Sequence, residues 1–385
     1  MGLHENQRLA GLGQSEIRAM TLACTQAKGI NLAQGVCDTG VPPLVIDAAK
    51  LAMDQGVNTY TRYDGLVELR LALAQRIKTF NHMIVNPETE VTVSAGATGA
   101  FHCVCMGLLQ AGDEVILFEP YYGYHLSTIV SVEAVPKFVS LRGTDWSLSL
   151  DDLEQAMTNR TKAIVVNTPG NPSGKVFTTQ ELEGIAEVAR QHDLFIFTDE
   201  IYEYFVHDNH KHVSMAALPG MADRTITISG YSKTFSITGW RIGHVVASSR
   251  WSSMIGAMND LVYVCAPAPL QYGVALGIQN LGTEFYQELQ LAFQEKRDRF
   301  CQVLQDIGLS PRIPQGAYYV LADVTRLPGA TGKERAMYLL EKTGVAGVPG
   351  EAFFQGAEGA RYVRFSFAKT DTDLDVACER LKNGV

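Results

Sequence analysis

Three short apolar runs constrain this chain more than any other feature. Ala163-Ile164-Val165-Val166 and Leu194-Phe195-Ile196-Phe197 are continuously apolar, Thr225-Ile226-Thr227-Ile228 is nearly so with only threonine between its isoleucines, and helical stretches such as 179–192 separate the three. Strands without alternation are buried on both faces. Strands that alternate with helices build a mostly parallel sheet with helices packed against each side. The preceding segments fit the same scheme: a strand at 91–94, a helix over 98–110 with Thr98 as N-cap and Gly112 just past its end, and a strand at 114–118. After about Gly282 the texture changes to a long helix over 284–307, short strands at 317–321, 346–348 and 362–367, and a last helix over 372–382. A length of 385 residues allows roughly two domains. The expected division is a large α/β domain at 48–282 and a smaller α/β domain made of 1–47 and 283–385.

Each apolar run ends abruptly. The sequences that follow are Asn167-Thr168-Pro169-Gly170-Asn171-Pro172-Ser173-Gly174, Thr198-Asp199-Glu200-Ile201-Tyr202 and Ser229-Gly230-Tyr231-Ser232-Lys233. In a parallel sheet the C-terminal strand ends share one edge, and ligands bind in the crevice outside it. Asn171, Asp199 with Tyr202, and Lys233 are therefore expected at one site. No Ser–His–Asp pattern and no metal-ligand cluster stands out, so no metal is expected. A lysine facing an aspartate, with an arginine close by, suits a cofactor that is cationic at one end and anionic at the other. Pyridoxal 5'-phosphate (PLP) has that character: its ring nitrogen needs a carboxylate, its aldehyde a lysine and its phosphate donors.

These pieces resemble the class I/II aminotransferases, fold-type I PLP-dependent enzymes of the aspartate, aromatic and kynurenine aminotransferase kind. The match runs from Leu32-Ala33-Gln34-Gly35 to Tyr362-Val363-Arg364-Phe365-Ser366-Phe367. The most specific stretch is Ser232-Lys233-Thr234-Phe235-Ser236-Ile237-Thr238-Gly239-Trp240-Arg241-Ile242-Gly243.

The resemblance implies roles. Lys233 is the Schiff-base lysine and general base. Asp199 faces the ring nitrogen and keeps it protonated. Tyr202 and Asn171 donate to the cofactor's phenolic oxygen. Arg241, eight residues after Lys233, holds the phosphate with Ser232 and with the backbone of Gly96, Ala97 and Thr98 at a strand-to-helix turn. Tyr122 stacks on the ring, although an aromatic after a strand is also ordinary core. Arg364, alone in an apolar strand, is costly unless paired and corresponds to the arginine that clamps the substrate α-carboxylate; a structural salt bridge is the plainer alternative. Gly35 approaches the same carboxylate, and Tyr60 reaches the neighbouring subunit's phosphate, which implies a homodimer with shared sites.

The expected activity is transfer of an amino group from an L-amino acid to a 2-oxo acid. Five tyrosines (Tyr60, Tyr63, Tyr121, Tyr122 and Tyr124) tilt the donor toward aromatic, kynurenine- or glutamine-type amino acids over a strict aspartate enzyme. A C–S lyase or other β/γ-eliminating enzyme of the same fold uses the same cofactor residues and is the competing reading. Three features depart from the pattern. Gly230 stands where relatives carry a phosphate-binding serine, leaving Ser232 or Ser229 as substitutes. Gly35-Val36-Cys37-Asp38 lacks a proline before the aspartate, and Ala266-Pro267-Ala268-Pro269 replaces a more polar segment.

Other motifs do not hold up. Gly170 to Lys175 misses P-loop spacing, and Gly11-Leu12-Gly13 lacks a preceding strand and a third glycine. His207, His210 and His212 read as a solvated polar loop. Cys103 and Cys105 read as helix core beside His102. A net charge of −9 argues against nucleic-acid or membrane-surface partners, which need a positive field. Seven cysteines without a CxxC pair, and a Met1–Asn6 start with neither a basic region nor an apolar core, predict a cytoplasmic protein.

Overall fold

The computed structural model describes residues 15–385. The readings of Met1–Asn6 and of Gly11-Leu12-Gly13 lie outside them. Seven strands form the central sheet: β1 (Val91–Ser94), β2 (Glu114–Glu119), β3 (Val135–Ser140), β4 (Thr161–Asn167), β5 (Phe195–Asp199), β6 (Thr225–Gly230) and β7 (Gly243–Val246). Their order is β1-β7-β6-β5-β4-β2-β3. Pairs β3–β2, β2–β4, β4–β5 and β5–β6 are parallel, and β7 runs antiparallel to both β6 and β1. The three apolar runs are thus adjacent central strands. Ile164, Ile196 and Ile226 in the middle of each are wholly buried, a burial worth about 1.5–3 kcal/mol apiece.

Register positions the chemistry. Asn167 of β4 lies level with Asp199 of β5, and Asp199 lies level with Ile228 of β6. The loops carrying Asn171, Tyr202 and Lys233 therefore leave the same edge within a few residues of one another. The helix after β1 spans Gly96–Leu108, two residues earlier than the sequence suggested, and Thr98 sits in its first turn, not at its cap. The cause is Gly96, whose φ of +74° turns the chain sharply and starts the helix there.

A second sheet is antiparallel throughout: β8 (Ser310–Arg312), β9 (Tyr319–Asp323), β10 (Val348–Pro349) and β11 (Tyr362–Ser366), in the order β10-β11-β9-β8. The strand expected at 317–321 begins later because Ala317 adopts a φ of +57° and donates its N–H to Phe205. The strand expected at 346–348 is broken at Gly347, where a Cβ would sit 2.3 Å from Val363. Val345–Ala346 instead pairs in parallel with Ile30–Asn31, tying the early part of the chain to the late part. Among the described residues no helix is long and apolar enough to cross a membrane. All seven cysteines are free, and Cys103 and Cys105 are fully buried.

The histidine reading needs correction. His207 and His212 are buried, not solvated. His207 Nε2 lies 2.9 Å from the Ala317 carbonyl, and burial pushes its pKa down to about 4. His212 Nε2 lies 2.9 Å from Glu200, whose other oxygen accepts from Ser214 at 3.0 Å. Glu203 accepts from Asn81 and Ser229, so each carboxylate oxygen of this buried group already has a protein donor. Hydrophilic composition suggested solvent, but these side chains solvate one another instead. Burial pulls the His212 pKa down, yet the Glu200 carboxylate outweighs it and leaves the net value above 6.5. A raised folded-state pKa contributes stability fully below the unfolded value and loses it as pH rises through the folded one. The melting temperature should therefore fall as pH is raised from 6.5. In His212→Gln that part of the slope should vanish, with about 3–5 kcal/mol lost at neutral pH because Glu200 is left buried without its cation. Thermal unfolding of both proteins across that range checks this.

Candidate active site

A chamber of about 620 Å³ opens at the carboxyl edge of the central sheet, lined on one side by Asn171, Asp199, Tyr202, Lys233 and Arg241 and on the other by Arg364. Gly35, Ala97, Thr98, Tyr122 and Ser232 also line it. Gly96 and Tyr60 do not; Gly96 stands behind Arg241, and Tyr60 is 82% exposed.

Asp199 ends β5 inside the chamber. One carboxylate oxygen accepts from the Ile201 N–H at 3.2 Å, and the other lies 3.0 Å from His125 Nε2. His125 belongs to the helix Gly123–Ser131 and is held between Phe101, at 4.5 Å, and the edge of Tyr122, at 5.2 Å. Lys233 Nζ donates to the Gly35 carbonyl at 3.1 Å, and Tyr318 donates to the same oxygen at 3.3 Å. The Tyr202 and Tyr319 hydroxyls are 3.0 Å apart, and burial pushes the Tyr202 phenol well above its usual range, so it stays a protonated donor. A Cβ on Gly35 would lie 1.8 Å from the Tyr319 hydroxyl, so only glycine leaves that tyrosine in place.

Arg241 donates to Thr238 at 3.0 Å and lies so close to Gly96 that a Cβ there would meet its guanidinium at 2.4 Å. The arginine and the first turn of the Gly96–Leu108 helix thus converge, as a phosphate needs. Gly230 faces Gly243 across β6 and β7, where a Cβ would approach the Gly243 Cα to 2.9 Å. That contact explains why no serine stands at 230. Of the two substitutes, Ser232 lines the chamber. Ser229 points away and donates to Glu203 at 2.9 Å.

Arg364 lies in β11 and is fully buried. It donates to the Asn171 side-chain oxygen at 2.9 Å and to the Ala33 carbonyl. Its guanidinium lies over Tyr319 at 4.4 Å and Phe353 at 5.0 Å. Its Nε has no partner, and among the described residues it forms no ion pair with a carboxylate. The structural salt bridge is therefore absent, and burial pulls its pKa below the ordinary value.

Sequence reasoning missed His125, Tyr319 and Arg18, all of which line the chamber or touch its key groups. A histidine in the first turn of a helix that follows a strand end was a signal for the first. Nothing local marked Tyr319. The look-alike phosphate loop is explained by Lys175, which is buried and paired with Glu181 at 2.7 Å.

A doubly wound sheet with a lysine, a carboxylate and two arginines around one chamber at its carboxyl edge is the architecture of fold-type I PLP-dependent enzymes. The chain matches the family described as "Aminotransferase class I and II" over residues 27–381. It is 35% identical to a probable N-succinyldiaminopimelate aminotransferase, DapC, of Mycobacterium tuberculosis, covering 97% of each chain. It is 32% identical to kynurenine–oxoglutarate transaminase 3 of Rattus norvegicus, covering 97% of this chain and 88% of that one. The solved structure of the M. tuberculosis N-succinyldiaminopimelate aminotransferase superposes with a TM-score of 0.96 at 34% identity, covering 99% of this chain and 100% of that one. The chain belongs to the class I and II aminotransferases and is a transaminase. The eliminating-lyase alternative finds no support among these relatives.

Proposed function

We propose that this aminotransferase holds pyridoxal 5'-phosphate in the chamber at Lys233 and moves an amino group from an L-amino acid to a 2-oxo acid. One observation carries the reading: Arg364 is a buried arginine with, among the described residues, an unpartnered Nε and no counter-ion, and it lines a chamber that also holds Lys233 and Asp199. An uncompensated buried cation is costly, so the site is built for an anionic guest.

The donor set fits the cofactor. Asp199 would face the ring nitrogen and keep a proton on it, while His125 fixes the orientation of its carboxylate. Asn171 turns its carboxamide oxygen to Arg364, so its amide N–H groups are free to donate to the phenolic oxygen beside Tyr202. Arg241, Ser232 and the N–H groups of Gly96, Ala97 and Thr98 would receive the phosphate. Tyr122 would cover the ring face. When bound, the cofactor supplies an electron sink for the carbon that bears the amino group. Lys233 Nζ would take the proton from that carbon and deliver it to the cofactor's C4′ within the same half of the cycle, and would run the transfer in reverse in the other half. Arg364, with the Gly35 backbone near it, clamps the α-carboxylate and so fixes which bond lies in reach of Lys233.

The working unit in this reading is a homodimer. Tyr60 is 82% exposed, and the neighbouring Tyr63 packs on Gly256 of the helix Ser249–Tyr263, where Leu261 is 76% exposed. An apolar face of this kind suits a second subunit, whose phosphate Tyr60 would reach. Residues 48–282 would carry the cofactor, and 1–47 with 283–385 would bring Gly35 and Arg364 to the substrate. Seven free cysteines suit the cytoplasm. Of the five tyrosines behind the donor expectation only Tyr122 and Tyr124 line the chamber, where Tyr202 and Tyr319 join them; these rings favour aromatic, kynurenine- or glutamine-type donors. The test is a half-reaction on purified holoenzyme: an amino donor alone should shift the cofactor's absorbance, and a 2-oxo acid should restore it. Ammonia release with no restoration would favour elimination.

A further inference from the structure

Tyr202 and Tyr319 reach the chamber from different sheets. Tyr202 lies on the loop after β5, and Tyr319 opens β9 of the second sheet. Both are almost wholly buried, and their hydroxyls meet at 3.0 Å. Among the described residues the Tyr319 hydroxyl has no other hydrogen-bond partner. Its ring is fixed on several sides. The Tyr202 ring meets it edge to face at 5.7 Å, the Tyr318 ring lies at 4.8 Å, and the Arg364 guanidinium covers it at 4.4 Å. Gly35 abuts the hydroxyl itself, so closely that a Cβ there would strike it. Tyr318, the neighbour in sequence, is committed elsewhere, to the Gly35 carbonyl.

A hydroxyl has one proton to give. Resting on the cofactor placement proposed above, Tyr202 gives its proton to the cofactor's phenolic oxygen, which is a stronger acceptor than another tyrosine. The bond between the two tyrosines is then made with the Tyr319 proton. We propose that Tyr319 is a positioning residue that acts through Tyr202: its hydroxyl donates to the Tyr202 oxygen, aims the Tyr202 proton at the cofactor and strengthens that hydrogen bond. Hydrogen bonds in a chain polarise one another, by about 10–30% per bond. A phenolic oxygen held by a better donor carries negative charge more easily, so the bound cofactor loses its titrating proton at lower pH. The other titratable or charged groups around the pair are Asp199, Tyr122, Tyr318, Lys233, Cys37 and Arg364. Removing the Tyr319 hydroxyl alone leaves all of them in place.

The test is a pH titration of the visible absorbance of holoenzyme, run on the wild type, Tyr319→Phe, Tyr202→Phe and the double variant. Phenylalanine keeps the ring against Arg364 and Tyr318. Tyr319→Phe should raise the apparent pKa by about 0.3–1 unit, the size of one neutral hydrogen bond or a fraction of it. Tyr202→Phe should raise it further. With the Tyr202 hydroxyl already gone, the Tyr319 change should add nothing, because its only route to the cofactor is lost. An unmoved pKa in Tyr319→Phe, with or without a fall in melting temperature, overturns the proposal and leaves Tyr319 a packing residue. So does a shift of equal size in the presence and absence of the Tyr202 hydroxyl. A Tyr202→Phe variant with the wild-type pKa overturns the proposal together with the placement of the phenolic oxygen, and a holoenzyme with no titrating absorbance overturns the cofactor reading itself.

Discussion

Replacing Lys233 by alanine should lower the transamination rate of cofactor-loaded enzyme by about 10²–10⁴-fold, the range expected for loss of a positioned general base. The fold should be almost untouched. Lys233 follows β6 at the sheet edge, and among the described residues its side chain makes a single hydrogen bond, to the Gly35 carbonyl, which retains Tyr318 as a donor. Thermal unfolding of the apo variant should therefore match the apo wild type. A small primary amine supplied in solution should restore part of the rate, because the missing group is a base at a defined point and not a packing element. Loss of rate with a parallel loss of stability, and no rescue, would make Lys233 a structural residue.

Arg364→Met should separate function from stability most sharply. Removing a buried charged donor from its ligand costs about 2–5 kcal/mol in binding, equivalent to a 30- to several-thousand-fold loss in kcat/KM for every amino acid donor. Arg364→Lys should also fail, since an ammonium cannot reproduce the two-pronged contact. The stability effect runs the other way. Arg364 pays its desolvation without a counter-ion, with its Nε unpartnered and two aromatic rings against it. An apolar side chain of similar length should leave the melting temperature of the ligand-free enzyme unchanged or raise it, even after the Asn171 and Ala33 acceptors lose their donor. Steady-state kinetics and thermal unfolding on the same preparation check both halves. A destabilised variant that still clamps its substrate contradicts the assignment.

Much of this site was legible because the fold is read from strands that show their burial directly. Uninterrupted apolar runs can only be central, and the residue after each run is fixed at one edge by the parallel register that levels Asn167, Asp199 and Ile228. Asp199, Asn171, Tyr202 and Lys233 followed from that alone. Arg364 was visible for a different reason, as a charge stranded in an apolar strand. What the sequence hid was tertiary. His125 reaches Asp199 from 74 residues away, and Tyr319 meets Tyr202 from 117 residues away, with no local pattern to announce either. The same blindness misplaced His207 and His212. A run rich in histidine, aspartate and asparagine looks solvated until Glu200 and the Ala317 carbonyl arrive from elsewhere to bury it. The helix start at Gly96 and the break at Gly347 were missed because both turn on what a glycine permits its neighbours to approach.

The central claim is covalent, and a covalent trap tests it. Holoenzyme treated with borohydride should carry a permanently fixed cofactor on the peptide containing Lys233, and on no other lysine, in a mass-mapped digest. A digest in which that peptide is unmodified, or in which the label sits on Lys175 or another lysine, contradicts the account.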